Sequence, residues 1–374
     1  MGEMTLELLE GARNLVKGCG ITKGEEILIP IDRAQYDTLW VQAMEIAIEE
    51  VGAYSVILRA KGWAREGRSD YKQKIPRIVE GAVLGSDVAI TISGAADLNW
   101  RRPFGRKAMG EYGVTAAVIN ANTSEVLASE YARFPVGLVT AITGRVYDKV
   151  IHGTKLRVTT PKGTDISMGI TQSYQEVVGG KGKPGRRPGD RTTFPRGMVG
   201  IHPGHPADGV IAVEAIFPML NPPEVFLDRP LYITIKDHWC TEVEGPHAEW
   251  VKELLKTDEN ARWFAECMWG NHPKAWPIGY QTGDVKDWFS LMHLRPDLLH
   301  FALGCHVQGG KPFSLLHADF YTTNPTVYLD GKVLIEKGHL TVLDDPEVRE
   351  IASKYGDPNK ILELKPLPSG LFRF

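Results

Sequence analysis

The residues best suited to chemistry lie near the end of the chain. His300-Phe-Ala-Leu-Gly-Cys-His306 is followed by Gly309-Gly310-Lys311 and then by His317-Ala-Asp319-Phe320. His317 and Asp319 stand two positions apart, so on a strand both side chains leave the same face. That spacing aims an imidazole and a carboxylate at one point, as a metal site requires. The plain alternative is a core histidine beside an unrelated surface aspartate. Further candidates stand upstream: Glu224 after Asn221-Pro-Pro, and Glu266 ahead of Cys-Met-Trp-Gly-Asn-His272-Pro. Taken singly, Glu224 also reads as a solvated strand end, Glu266 as a charge on a helix face and His300 as a core histidine. His202-Pro-Gly-His205 places two histidines around a tight turn, near enough to share a metal or simply to form a loop.

Imidazole and carboxylate ligands together suit Zn, Mn, Co or Fe and do not choose among them. A divalent ion with an open position lowers the pKa of bound water from about 16 towards 7. A carboxylate beside it that is not a ligand can take or return a proton. The four cysteines are scattered without a Cys-x-x-Cys pair. A disulfide framework is therefore not expected, and the reading is a cytoplasmic protein whose metal is held by nitrogen and oxygen.

These residues need elements to position them. At 374 residues the chain is long for one core, so two domains are the natural expectation. In the first half, short apolar strands (26–30, 55–59, 87–93, 114–119) alternate with helices (4–18, a long amphipathic one after 36, about 70–82, about 123–150). That alternation is the form of a doubly wound parallel sheet. No Gly-x-Gly-x-x-Gly follows the first strand, so a dinucleotide site is not expected. The pattern changes near 153, where 155–160 opens a hairpin, and strands then pair through turns. Helices are expected at about 246–256, 258–268 and 346–355. An Asp330-Gly331 turn predicts a further hairpin after the His-x-Asp strand. The expectation is an α/β protein: residues 1–152 form a Rossmann-like parallel-sheet domain, and 153–374 an α+β domain holding the metal. The Gly- and base-rich segment 179–191 reads as a solvated loop, or as a lid bringing Lys183, Arg186 or Arg187 to a substrate carboxylate. Trp100-Arg101-Arg102, beyond the third strand, poses the same choice.

Composition is that of a soluble globular protein, 43% hydrophobic and 24% charged with a formal charge of -3. It gives no ground for nucleic acid or a membrane as partner. No apolar run reaches the length of a membrane span.

In order and register, these motifs resemble the aminopeptidase T type of metallopeptidase and its superfamily, which includes 2,5-dihydroxypyridine 5,6-dioxygenase and 5-nitroanthranilate aminohydrolase. The resemblance implies five metal ligands, Glu224, Glu266, His300, His317 and Asp319, in a homodimer acting on a small molecule. Where the peptidases have a tyrosine seven residues after the first histidine, this chain has Val307. His306 adjoins that position and is the candidate donor to a developing oxyanion. The Trp-Gly-x-x-Pro-x-Ala turn, Trp269 to Ala275, resembles the dioxygenase-like members. Matching it puts Glu266 where their first histidine would stand, so an Fe(II) triad of two histidines and a carboxylate would need His272 or His300. The leading expectation is a metal-dependent hydrolase cleaving a C–N bond in a small amino or aromatic compound, with Glu266 as ligand or general base. The alternative is a non-haem Fe(II) ring-cleaving dioxygenase.

Overall fold

The computed structural model describes residues 3–32, 37–60, 75–92, 103–171, 188–217, 225–276, 293–304 and 314–367. The chain divides into two compact units. The described residues of the first come from Met1–Thr140 and Lys183–Arg196, and those of the second from Ala141–Gly182, Gly197–Trp276 and Leu291–Phe374.

The first unit begins with α1 (Leu6–Cys19), capped by the Thr5 hydroxyl, which accepts from the N–H of Leu8. Next come β1 (Glu26–Asp32), α2 (Thr38–Glu50), β2 (Tyr54–Ala60), α3 (Arg77–Leu84), β3 (Val88–Ile92), α4 (Pro103–Tyr112) and β4 (Thr115–Ile119). Leu28, Ala89 and Ala116 pack with Val79 and Val83 of α3 and Ala108 of α4. Ile27 and Ile29 alternate with Leu28 along β1 and are also buried, so this strand is covered on both faces. The region expected as one helix over 123–150 is broken into α5 (Ser124–Leu127), α6 (Glu130–Arg133) and α7 (Val136–Val150). Pro135 accounts for the second break: it disfavours the helical region for Phe134, which is extended at ψ 135.

In the second unit, β5 (Lys155–Thr159) and β6 (Asp165–Ile170) form the expected hairpin. The next strand, β7 (Arg191–Phe194), instead belongs to the first unit. It pairs in parallel with β4 and completes a five-stranded sheet in the order β2-β1-β3-β4-β7.

The second unit continues through β8 (Met198–Ile201), β9 (Pro203–Phe217), β10 (Val225–Lys236), β11 (Trp239–Glu244) and α8 (Ala248–Leu254). Then follow β12 (Phe264–Gly270), β13 (Leu298–Gly304), β14 (His317–Thr323), β15 (Thr326–Leu329), β16 (Lys332–Glu336) and β17 (His339–Leu340). These strands join β5 and β6 in one twelve-stranded sheet, one end of which runs β9-β14-β13-β12-β8. The Asp330-Gly331 turn is as expected: both residues have positive φ, 48° and 79°, and they join β15 to β16. The helix expected over 258–268 is corrected to a strand. β12 is buried along its whole length, and a short run buried on both sides carries no periodicity that separates strand from helix. No described helix is long and apolar enough to cross a membrane.

A buried ion pair holds the approach to β13. Arg295 is fully buried and donates to both oxygens of Asp297 at 2.8 and 2.7 Å, and to the carbonyls of Ala275 and Lys365 at 2.7 Å each. Removing one partner of such a pair strands a charge. Asp297→Ala is expected to destabilise the protein by about 3–5 kcal/mol, read by urea unfolding.

Candidate metal centre

The register of the central strands decides which side chains meet. On β14, His317, Asp319 and Tyr321 share one face by the period-two rule. Across the ladder, Tyr321 stands opposite His300 of β13, Asp319 opposite Ala302, and His317 opposite Gly304. One strand further, Glu266 of β12 stands opposite Ala302. Glu266, His300, His317, Asp319 and Tyr321 therefore occupy one face. Small residues, Ala302 and Gly304, stand between the functional ones.

His293 joins them from the segment before β13. It is delivered by a close backbone approach, for a Cβ on Gly270 would lie 1.8 Å from the carbonyl carbon of Leu294. Only glycine fits at the end of β12 without moving the segment that carries His293. His293, His300 and Asp319 are buried, and one ligating atom of each lies within 4.8 Å of the others.

Asp319 is the hub. Its Oδ1 lies 3.0 Å from His317 Nε2. Its Oδ2 lies 3.5 Å from His293 Nε2 and 3.5 Å from the Tyr321 hydroxyl. Tyr321 Oη is 3.0 Å from His293 Nε2. The ring centroid of His300 is 4.8 Å from that of His293 and 5.2 Å from that of Tyr321. Glu266 stands one step out, its Oε2 3.6 Å from His317 Nε2.

The electrostatics match a cation site. Burial alone would raise the Asp319 carboxyl, but the imidazoles of His317, His300 and His293 hold it well below the ordinary carboxylate range. Burial lowers His300 to about 3, so its ring is neutral and a lone pair is available. His300 Nδ1 and Asp319 Oδ1 are buried without a hydrogen-bond partner. Unsatisfied buried polar atoms of this kind cost about 1–3 kcal/mol each. A divalent ion would satisfy both, and two imidazoles with one carboxylate form a donor set that transition metals accept. The residues present therefore fit a metal ion.

Of the sequence-derived candidates, the structure brings together His300, His317, Asp319 and, at the edge, Glu266. Glu224 and His306 lie outside the described residues, as do Gly309, Gly310, Lys311, Lys183, Arg186, Arg187 and the Trp100 segment. Of the two histidines considered for a triad, His300 is in the group. His272 lies in the turn after β12, where its Nδ1 accepts from the N–H of Lys274 at 3.1 Å. His202 is buried, whereas His205 is exposed and stacks on His238 with ring centroids 4.2 Å apart.

Sequence reasoning missed His293 and Tyr321. Leu-Met-His293-Leu offers no spacing that marks a ligand. Tyr321 had a signal: the rule that pairs His317 with Asp319 extends to the residue two further on.

Buried neutral histidines also set a pH dependence. Burial lowers His272 and His300 to about 3 and His202 to about 4. Each binds its proton more readily in the unfolded chain, where the ordinary value is near 6.5. Stability is therefore expected to fall as pH drops from about 6.5 towards 4, each contributing up to about 1.4 kcal/mol per pH unit. Glu214, raised by burial, works in the opposite direction but is a single group. Urea unfolding of metal-free protein across that range checks this, and a flat profile would contradict it.

The sequence matches the family NicX, 2,5-dihydroxypyridine 5,6-dioxygenase, over residues 137–342, more than half of the chain. The chain belongs to that family. The matched span holds β12, β13 and β14 and hence every residue of the cluster. Among solved structures, the chain is similar to a 2,5-dihydroxypyridine dioxygenase from Pseudomonas putida KT2440, with a TM-score of 0.66 at 17% identity, covering 91% of this chain and 98% of that one. It is also similar to wild-type AmpT from Thermus thermophilus, with a TM-score of 0.60 at 18% identity, covering 89% and 98%. At such identities the likeness is one of fold. It bears out the mixed α/β architecture read from the sequence, and the family match bears out the resemblance to the superfamily that includes 2,5-dihydroxypyridine 5,6-dioxygenase. No curated protein sequence is a significant match.

Proposed function

We propose that the protein is a non-haem iron dioxygenase that opens the ring of a small hydroxylated aromatic compound of the dihydroxypyridine type. One observation carries this reading: two imidazoles and a carboxylate, His293, His300 and Asp319, converge on one sheet face in a chain of the dioxygenase family. Those three side chains would hold a ferrous ion, which would supply the binding and activation of dioxygen.

The protein's own share is positional and electrostatic. Asp319 supplies the one full negative charge of the group and stays ionised across the working pH range. His300, neutral and buried, offers a lone pair without first having to lose a proton. His317, 3.0 Å from Asp319, either completes the ligand set or holds a proton next to it. Burial of all three donors excludes water and strengthens each electrostatic contact.

Glu266 supports a second reading, the metal-dependent hydrolase. Its carboxylate, 3.6 Å from His317, could serve as the general base for a C–N cleavage. Turnover of a dihydroxypyridine by iron-loaded protein, followed with an oxygen electrode, separates the two. Consumption of dioxygen with product supports the dioxygenase, and product formed equally without dioxygen rejects it. The homodimer implied by the sequence resemblance and the cytoplasmic location read from the scattered cysteines belong to the same proposal, and a monomer in light scattering would remove the first.

A further inference from the structure

Phe217 ends β9 on the sheet face that carries the donors. In the ladder it stands directly opposite Asp319. The row continues across the sheet: Asp319 is opposite Ala302, and Ala302 is opposite Glu266. Residues paired in this way point to the same side, about 4.5–5.5 Å apart along the row. Phe217 therefore closes one end of the row and Glu266 the other. The Phe217 ring also borders His293, meeting that ring edge-on with centroids 6.4 Å apart and planes at 85°.

Burial sets Phe217 apart from its neighbours. His293, His300, Asp319, Ala302 and Glu266 are all buried, whereas Phe217 is only partly so. Among the described residues it is the large apolar side chain beside the donors that keeps surface exposed. We propose that Phe217 is a specificity-determining residue, the wall against which the planar ring of a substrate packs at the metal centre. This rests on the dioxygenase reading above and deepens it, for it gives a reason in this chain's own residues why the substrate is aromatic.

Imidazoles and a carboxylate hold an ion but do not select the shape of what lies beside it. A phenyl ring does. Aromatic rings pair offset-stacked or edge-to-face, and such a pair is worth more than the area it covers. A saturated ring of the same size gains the burial and nothing beyond it. Leucine in place of Phe217 would keep most of the apolar surface and lose the preference for a flat ring. Cutting back to alanine an aromatic side chain on which a heteroaromatic ring stacks typically weakens binding about 5–100-fold. A ring that only props His293 makes a different prediction: its loss weakens metal binding and leaves ligand preference as it was.

The experiment uses the full-length protein loaded with Zn(II) and kept free of dioxygen. Calorimetric titration with 2,5-dihydroxypyridine, and with the saturated lactam 5-hydroxypiperidin-2-one, compares wild type with Phe217→Leu and Phe217→Ala. Wild type is expected to bind the aromatic compound about 3–10-fold more tightly than the saturated one. Phe217→Leu should lose that preference, and Phe217→Ala should bind dihydroxypyridine about 5–100-fold more weakly, with Zn(II) affinity unchanged in both. Unchanged dihydroxypyridine affinity in Phe217→Ala would overturn the proposal. So would weaker Zn(II) binding with the ring preference intact. A wild type that takes up no Zn(II), or takes it up and binds no dihydroxypyridine, would remove the earlier reading and the proposal with it. If the variants do not fold, nuclear Overhauser contacts in the wild-type Zn(II) protein decide. Contacts between the dihydroxypyridine ring protons and the Phe217 ring support the wall, and their absence in the bound complex rejects it.

Discussion

Asp319→Ala is expected to remove bound metal and turnover together. Among the described residues Asp319 is the only carboxylate in the converging group, with Oδ1 facing His317 and Oδ2 facing His293 and Tyr321. Alanine deletes the one full negative charge that offsets a divalent cation and leaves imidazoles facing one another in a buried space. The loss of affinity should exceed the roughly 10–100-fold typical of an outer-shell partner, so protein dialysed against buffer with trace metal should come out empty. Asp319→Asn keeps the shape and one acceptor oxygen and should fall between the two. Metal analysis of the three proteins gives the order directly. Full metal content in Asp319→Ala would take this residue out of the site.

The sequence made parts of this legible for a local reason. His317 and Asp319 are a strand pair two residues apart, and neither fact depends on the rest of the fold. The Asp330-Gly331 hairpin, the β5–β6 hairpin and the first four parallel strands with their intervening helices rest likewise on short-range pattern. What stayed hidden depends on distant pairing. β7 reaches the parallel sheet from far along the chain, and four residues, Arg191 to Phe194, are too few to announce which sheet they join. β12 is buried on both faces, so the apolar run around Glu266 reads as helix as readily as strand. His293 enters because Gly270 lets two backbones touch. A glycine in sequence does not say what approaches it.

The last expected result separates the two chemistries by comparing Glu266→Gln with His300→Ala. Glutamine preserves the length of the side chain and removes its charge and basicity. Glu266 lies 3.6 Å from His317 and is not among the three converging groups, whereas His300 is one of them. In an iron dioxygenase, His300→Ala should lower turnover by about 10²-fold or more, because the neutral imidazole is part of the ion's support. Glu266→Gln should then cost less than about tenfold, since the carboxylate is not among the three converging groups. In a hydrolase with Glu266 as general base the order reverses: loss of the base alone costs about 10²–10⁴-fold, whatever metal remains bound. Measuring metal content alongside turnover separates loss of the ion from loss of the base. A collapse of activity in Glu266→Gln with metal retained, and product formed without dioxygen, would replace the dioxygenase reading with the hydrolase.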